Sequence, residues 1–119
     1  MKSDNLIVDK SMAFAVRIVN LYKYLCDNEH EYVLSKQVLR SGTSIGANVK
    51  EAIRGQSKAD FSAKMNISLK EASETEYWLE LLYKTDYLSE AQYNDINSDC
   101  VEIIKILTAI IKSARKEGE

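Results

Sequence analysis

The sequence contains no proline and only four glycines among its 119 residues. Proline breaks helices, and an internal glycine costs about 1 kcal/mol relative to alanine, so their scarcity permits long uninterrupted helices. With 45% hydrophobic and 29% charged residues, the composition is typical of one folded domain with a sizeable core. We therefore expect a single all-α domain over residues 1–119.

Cysteine and histidine are also scarce. Cys26 and Cys100 have neither metal-ligand spacing nor the density of a disulfide scaffold. In helices that run up and down they would lie roughly 15 Å apart along the bundle, too far for a disulfide. The single histidine, His30, falls in a predicted loop. We expect reduced thiols and no metal or other cofactor.

Neither a membrane-spanning run nor a strong excess of one charge is present. No segment approaches the ~18 apolar residues of a transmembrane helix, and the first ten residues lack the apolar core of a signal peptide. Sixteen Lys and Arg oppose eighteen Asp and Glu, which gives a formal net charge of −2. This balance argues against binding of nucleic acid through an overall positive charge of the chain. We expect a cytoplasmic protein that does not associate with membranes.

Apolar residues recur at helical spacing in four segments. They run from about Asn5 to Asp27, from Ser35 to Arg54, from Ser57 to Thr85 or Asp86, and from Ser89 towards the C-terminus. The connections are short, and short connections force neighbouring helices to run antiparallel. The sequence predicts an antiparallel up-down-up-down four-helix bundle.

Several residues are typical of helix ends. Ser35 is a plausible N-cap, and Gly55 is suited to the left-handed conformation that commonly ends a helix. Ser57 and Asp60 resemble a capping box, and Ser89 to Gln92, Ser-Glu-Ala-Gln, forms a complete one. These signals define the three joints.

The second segment carries a polar stripe beside its apolar face. At about 100° per residue, the four members of this stripe fall within roughly 80° of one another. They are Arg40, Ser44, Asn48 and Glu51. Gly42, Gly46 and Ala47 keep this flank narrow, which allows a neighbouring helix or subunit to approach closely.

The third segment has two apolar faces. One is the expected core seam, formed by Met65, Leu69, Ala72, Leu79 and Tyr83. The opposite face carries Ile67, Trp78 and Leu81 together with Glu71 and Glu74. An apolar patch with a tryptophan is typical of an interface, so we predict self-association through this second face. The alternative is that Trp78 folds over the edge of the core.

Glu71 and Glu74 are close enough on one face to repel each other unless a cation lies between them. Arg40 can hold two carboxylates with its guanidinium, and we expect Ser44 and Asn48 to satisfy the remaining hydrogen bonds. The alternative is that both glutamates are simply solvated.

A row of cations offers a second possible function, the binding of nucleic acid. Lys50, Arg54 and Lys58 recur every four residues and Lys64 extends this row. Repetition of the row in an oligomer would offer contacts to RNA or DNA phosphates.

The residues typical of enzymes are missing. The chain lacks the Glu-x-x-His pairs of di-iron bundles, and neither cysteine has an evident base. The run Arg-Ser-Gly-Thr-Ser-Ile-Gly lacks the lysine of a phosphate-binding loop. We expect no enzymatic activity and no catalytic residues.

The segments LRSGTSIGANVKEA (39–52) and KEASETEYWLELL (70–82) resemble motifs of a bacterial family of four-helix-bundle proteins. The family is named for the open reading frame in intervening sequences of 23S ribosomal RNA genes. The resemblance extends over most of the chain, in order and with comparable helix lengths. The residues that match the motifs are Arg40, Ser44, Ile45, Asn48, Glu51, Glu71, Glu74, Tyr77 and Trp78.

This resemblance implies a small cytoplasmic bundle that assembles through its helix faces into a ring, typically a homopentamer, with no known enzyme activity. Some relatives are accessory proteins of diversity-generating retroelements, in which a basic surface of the ring binds nucleic acid and a reverse transcriptase. The acidic balance of this chain differs from that subgroup. We therefore expect an oligomeric scaffold or accessory protein with a protein or nucleic-acid partner; the alternative is a ring that binds RNA or DNA through its Lys and Arg rows.

Overall fold

The computed structural model describes the backbone of residues 2–118 and the side chains of residues 5–116. It contains the helices α1 (Lys2–Asp27), α2 (Leu34–Ile53), α3 (Lys58–Lys84) and α4 (Glu90–Gly118). The predicted all-α class is confirmed. The predicted segments each correspond to one helix, although α1 begins at Lys2 rather than Asn5.

Neighbouring helices run in opposite directions. On the seam between α2 and α3, Ser41 lies beside Thr75, whereas Ile45, farther along α2, contacts Ser68, which comes earlier on α3. The other seams are marked by Ile18 beside Gly42, Ala72 beside Cys100, and Arg17 beside Asp95 and Asp99. Each helix packs against the next and α4 returns to α1, whereas no Cα atoms of the diagonal pairs come within 8 Å of each other in the described residues. The result is a square bundle with extents of 48 × 22 × 19 Å.

The core is a single cluster of apolar side chains along the axis of the bundle. Its buried members come from all four helices and include Ile7, Phe14, Ile18, Leu25, Val38, Ile45, Val49, Ala52, Met65, Ala72, Leu79, Ile96, Cys100, Ile103, Leu107 and Ile110. In the predicted core seam of α3, Met65, Ala72 and Leu79 are buried, whereas Leu69 and Tyr83 are half-buried and pack against this cluster.

Two of the predicted caps are present. The Ser57 hydroxyl accepts a hydrogen bond from the Asp60 backbone N–H at 3.1 Å. At the start of α4, Ser89 Oγ accepts from the Gln92 N–H at 3.1 Å, and Gln92 Oε1 accepts from the Ser89 N–H at 2.8 Å. This reciprocal pair is the capping box that the sequence predicts.

Two other helix-end predictions are wrong. Ser35 is not the N-cap of α2, because it is buried inside the helix. The Glu31 carboxylate caps this end instead, accepting from the backbone N–H groups of Val33 and Ser35 at 3.0 and 2.8 Å. Gly55 is not left-handed, since no glycine has a positive φ among the described residues. Left-handed residues occur at the other two joints, His30 (φ 53°) and Asp86 (φ 69°), both residue types that tolerate this conformation.

Ion pairs line the seam between α1 and α4. Arg17 donates to Asp99 Oδ2 at 2.5 Å and to Asp95 Oδ2 at 2.6 Å, and Lys10 pairs with Glu102. The hydrogen bond that Arg17 donates to Asp99 raises the pKa of Arg17, and the one that Lys10 donates to Glu102 raises the pKa of Lys10. Both cations therefore stay charged throughout the neutral range.

Neither cysteine forms a disulfide. Cys26 is half-buried and lies 3.8 Å from the Ser35 hydroxyl. Cys100 is buried, its thiol donates to the Ala72 carbonyl at 3.4 Å, and burial raises its pKa to about 12. Cys100 is therefore a packed apolar group held in the thiol form.

Gly42 allows α1 and α2 to approach closely. A Cβ atom at this position would lie 2.7 Å from Cγ1 and 2.8 Å from Cγ2 of Ile18, which is itself completely buried. At Gly46, one turn later, the nearest atom to an added Cβ would be Ser11 Oγ at 3.3 Å. The two glycines therefore differ in how much side chain the neighbouring helix tolerates.

We expect Gly42→Ala to lower the free energy of unfolding by about 1–2 kcal/mol. The overpacking against Ile18 costs about 1–3 kcal/mol and exceeds the gain of up to about 1 kcal/mol from replacing a helical glycine. Gly46→Ala is the matched control, and its stability should be unchanged or slightly higher. Urea unfolding followed by circular dichroism measures both. Equal stabilities of the two variants would contradict the close approach at Gly42.

Candidate interaction surfaces

An ion-pair network joins α2 to α3. Arg40 Nη1 lies 3.3 Å from Glu71 Oε2, and Arg40 Nη2 pairs with Glu74 Oε2. The same Glu74 oxygen accepts a hydrogen bond from Trp78 Nε1 at 2.9 Å. The network predicted between Arg40 and the two glutamates is therefore present, and it also orients the single tryptophan of the chain.

The rest of the predicted polar stripe acts differently. Ser44 Oγ donates to the Arg40 carbonyl at 2.6 Å, and Asn48 Nδ2 donates to the Ser44 carbonyl at 2.8 Å, so neither contacts a glutamate. Their predicted role in completing the network is wrong, because each polar group finds a nearer acceptor on its own helix. Glu51 continues the stripe and pairs with Lys64 at 3.5 Å.

A layer of buried hydroxyl groups lies beneath this network. The Ser41 and Thr75 hydroxyl oxygens lie 2.9 Å apart, and Ser68 Oγ donates to the Ile45 carbonyl at 2.9 Å. All three hydroxyl-bearing residues are fully buried or nearly so. Sequence reasoning missed this layer, although small polar residues at core-facing helical positions are its signal. The small side chains keep α2 and α3 close while every hydroxyl is hydrogen-bonded.

The second face of α3 is less exposed than predicted. Trp78 and Leu81 are half-buried, and Trp78 packs against the core, as the alternative interpretation proposed. Ile67 is 40% exposed and Tyr77 is 59% exposed. The Tyr77 ring meets the Trp78 ring edge to face, with centroids 5.0 Å apart. The apolar surface that α3 offers to a partner is thus centred on Ile67, Tyr77 and the uncovered edge of Trp78, and we call it the α3 surface.

A second apolar surface lies on α1, and sequence reasoning missed it. Leu6, Met12 and Val16 are 45%, 55% and 55% exposed. Met12 and Val16 face away from the core positions Ile7, Phe14 and Ile18. The signal was available in the sequence, because Met12 and Val16 are one turn apart and about 140–180° from the core seam of the same helix.

The cationic row surrounds a shallow depression at the joint between α2 and α3. Lys50, Arg54 and Lys64 line a concavity of about 350 Å³, and Glu51 and Asp60 line it too. Lys58 is exposed beside it. The structure thus brings three of the four predicted cations together, but carboxylates interrupt the row, and Lys64 is paired with Glu51.

Charge is divided along the length of the bundle. The half formed by residues 5–19, 42–71 and 100–116 carries eleven Lys and Arg against five Asp and Glu. The other half, residues 20–41 and 72–99, carries four Lys and Arg against ten Asp and Glu. The small net charge therefore conceals a basic half and an acidic half.

No group of His, Cys, Asp and Glu side chains among the described residues is arranged to hold a metal ion. His30 is exposed in its loop, with Nδ1 3.2 Å from the Tyr32 hydroxyl. None of the helices, over the part of the chain described, is long and apolar enough to cross a membrane.

The family model of the 23S rRNA-intervening sequence proteins matches residues 3–109, which include all four helices and both motif segments. The chain belongs to this family. No curated protein matches it.

A solved structure supports the same assignment. The chain is similar to a protein of unknown function from the S23 ribosomal protein family of Bacteroides thetaiotaomicron VPI-5482, with 62% sequence identity and a TM-score of 0.92. The match covers 92% of this chain and 98% of that one. That protein therefore shares the arrangement of helices described above.

We expect Arg40→Ala to lower the free energy of unfolding by roughly 0.5–1 kcal/mol, the upper range for an ion pair of this exposure, because Glu71 and Glu74 then face each other without a cation. Glu74 also holds the indole, so the emission of Trp78 should shift to longer wavelength. Lys36→Ala, which removes an exposed cation one turn earlier on α2, is the control. Unchanged stability and emission in Arg40→Ala would contradict the conclusion that the network stabilises the fold and orients Trp78.

Proposed function

We propose that this protein is a non-enzymatic, oligomeric scaffold or accessory protein that assembles through its helix faces. The α3 surface is the observation that carries the proposal, because Ile67 and Tyr77 are exposed on the same helix as the half-buried Trp78. Tryptophan and tyrosine at the rim of an apolar patch are typical of protein interfaces. An interface also needs no reactive group, which suits a chain whose cysteines and histidine lack catalytic partners.

The proposed assembly is a ring of identical copies, with five subunits as the resemblance implies. In a ring, each copy contributes the α3 surface to a contact with its neighbour, and the closed arrangement leaves no apolar surface of this kind uncovered. The Arg40, Glu71 and Glu74 network lies beside this surface and holds the Trp78 indole in a fixed orientation. A rigid indole lowers the entropic cost of association.

Light scattering after gel filtration tests this proposal. The protein at micromolar concentration should have a mass that is a multiple of the 13.5 kDa chain. Ile67→Glu places a charge in the contact without disturbing the core and should reduce the mass. Lys105→Glu, an exposed change on α4, should not. A wild-type mass of one chain at this concentration would overturn the proposal.

A second candidate is the binding of RNA or DNA phosphates by the basic half. The favouring observation is the division of charge, because Lys50, Arg54 and Lys58 lie at the same end of the bundle as Lys112 and Arg115. In an oligomer, the basic ends of several copies together form a larger basic face.

Fluorescence anisotropy with 20-nucleotide RNA and DNA tests this candidate. Binding should weaken steeply with salt concentration, since cations on the protein displace the counterions of the phosphates. The double variant Lys50→Ala/Arg54→Ala should bind more weakly and show a shallower salt dependence. Lys36→Ala/Lys84→Ala, which removes two exposed cations from the acidic half, should bind as the wild type does. Absence of binding at low salt would exclude this candidate.

A further inference from the structure

A continuous stripe of exposed residues runs along the outer side of α1. Its members are separated by four, three, four, four and three residues, the spacing that keeps side chains on one face of a helix. They are Asn5, Asp9, Met12, Val16, Asn20 and Lys23, and all are exposed. We call this line of residues the α1 stripe. It lies on α1 alone and is separate from the α3 surface.

The α1 stripe is symmetric about Val16. Met12 and Val16, each 55% exposed, form its apolar centre. Asp9 lies seven residues before Val16 and Lys23 lies seven residues after it. At 1.5 Å per residue, each charge is about 10.5 Å from the centre along the helix axis, and the two charges have opposite sign. The two charged ends of this surface lie at equal distances from its centre and have opposite signs. Such a surface is complementary to a second copy of itself that is rotated by 180°.

We propose that two copies of this chain pair through their α1 stripes, with the helices antiparallel and a two-fold axis at Val16. In this arrangement Val16 meets the partner's Val16. Met12 meets the partner's Asn20, and Asp9 meets the partner's Lys23 on both sides of the axis. This contact is additional to the ring contact through the α3 surface and does not depend on it.

Charge excludes the parallel alternative. Parallel α1 helices in the same register bring Asp9 against the partner's Asp9 and Lys23 against the partner's Lys23, and both contacts are repulsive. The whole bundle adds to this preference. Because the basic and acidic halves occupy opposite ends, an antiparallel pair places the basic half of one copy beside the acidic half of the other, whereas a parallel pair aligns like charges along its length.

The surroundings of the stripe leave room for side chains of a second helix. A groove of about 230 Å³ lies between α1 and α2, beside Met12, and is lined mainly by apolar or small residues. Its α2 wall is formed by Thr43, Gly46, Ala47 and Lys50. Small residues let the backbone of a neighbouring helix approach, and the flexible side chain of Met12 can adjust to fill the space between the two copies.

Charge reversal tests the proposed pairing. Sedimentation equilibrium over a range of concentrations, in the background Ile67→Glu that removes the α3 contact, measures the dimer dissociation constant. Asp9→Lys and Lys23→Asp should each weaken the dimer at least about fivefold, because each makes two symmetric contacts repulsive. The double variant Asp9→Lys/Lys23→Asp should restore the dissociation constant to within about twofold of the background protein, since the two charges are exchanged but remain complementary. Failure of the double variant to recover would overturn the antiparallel register, and circular dichroism checks that each variant is folded.

Disulfide trapping tests the position of the two-fold axis. In a Cys26→Ser background, Val16→Cys should form a dimer under mild oxidation, because only a residue at the axis meets its own copy. Lys105→Cys, exposed on α4, should remain monomeric under the same conditions. Absence of cross-linked Val16→Cys would contradict the proposal even if the protein were oligomeric. The α3 surface would then be the one proposed contact between copies that remains. Conversely, efficient cross-linking in the Ile67→Glu background would establish the α1 contact whether or not a ring forms.

Discussion

The close packing of α2 against both of its neighbours is the constraint on which the rest of the structure depends. On the α1 side, Gly42 leaves room for Ile18, and a single added carbon atom would collide with it. On the α3 side, the hydroxyl groups of Ser41, Ser68 and Thr75 replace bulkier apolar side chains and bond across the seam. Because α2 lies this close to α3, Arg40 reaches the carboxylates of Glu71 and Glu74. The network that orients Trp78 is therefore a consequence of small residues in the core.

The fold could be predicted from the sequence because it follows from the spacing of apolar residues, a local pattern that repeats along each helix. Apolar residues at helical spacing define four long segments, and the absence of proline leaves them uninterrupted. The capping box at Ser89 and Gln92 was predictable for the same reason, since both partners lie within one turn. The cap of α2 was not, because Glu31 precedes the helix and acts through a loop whose course the sequence pattern does not specify.

The surfaces were harder to predict because exposure depends on which helices are neighbours. Trp78 has the angular position of an outward residue on α3, yet the nearness of α2 turns that face into an edge of the core. Ser44 and Asn48 have the angular position of partners for Glu71 and Glu74, but helix carbonyl groups lie nearer. Conversely, Met12 and Val16 are ordinary apolar residues in the sequence. Their spacing places them opposite the core seam of α1, and the arrangement of helices shows that neither α2 nor α4 covers them.

The ion pairs between α1 and α4 have a consequence for how the bundle comes apart. Three of its edges are held largely by buried apolar surface. The edge between α2 and α3 also carries ion pairs, but hydrogen-bonded hydroxyl groups are buried beneath them, and added salt does not screen these buried contacts. The fourth depends on Arg17 and Lys10 with their carboxylates, all at least partly open to solvent. Moderate ionic strength weakens attraction between such charges but leaves apolar contacts intact. We therefore expect α1 and α4 to separate first in concentrated salt. Because α1 stays packed against α2 at Gly42, the bundle would open along this one seam, and the four helices would form a single layer.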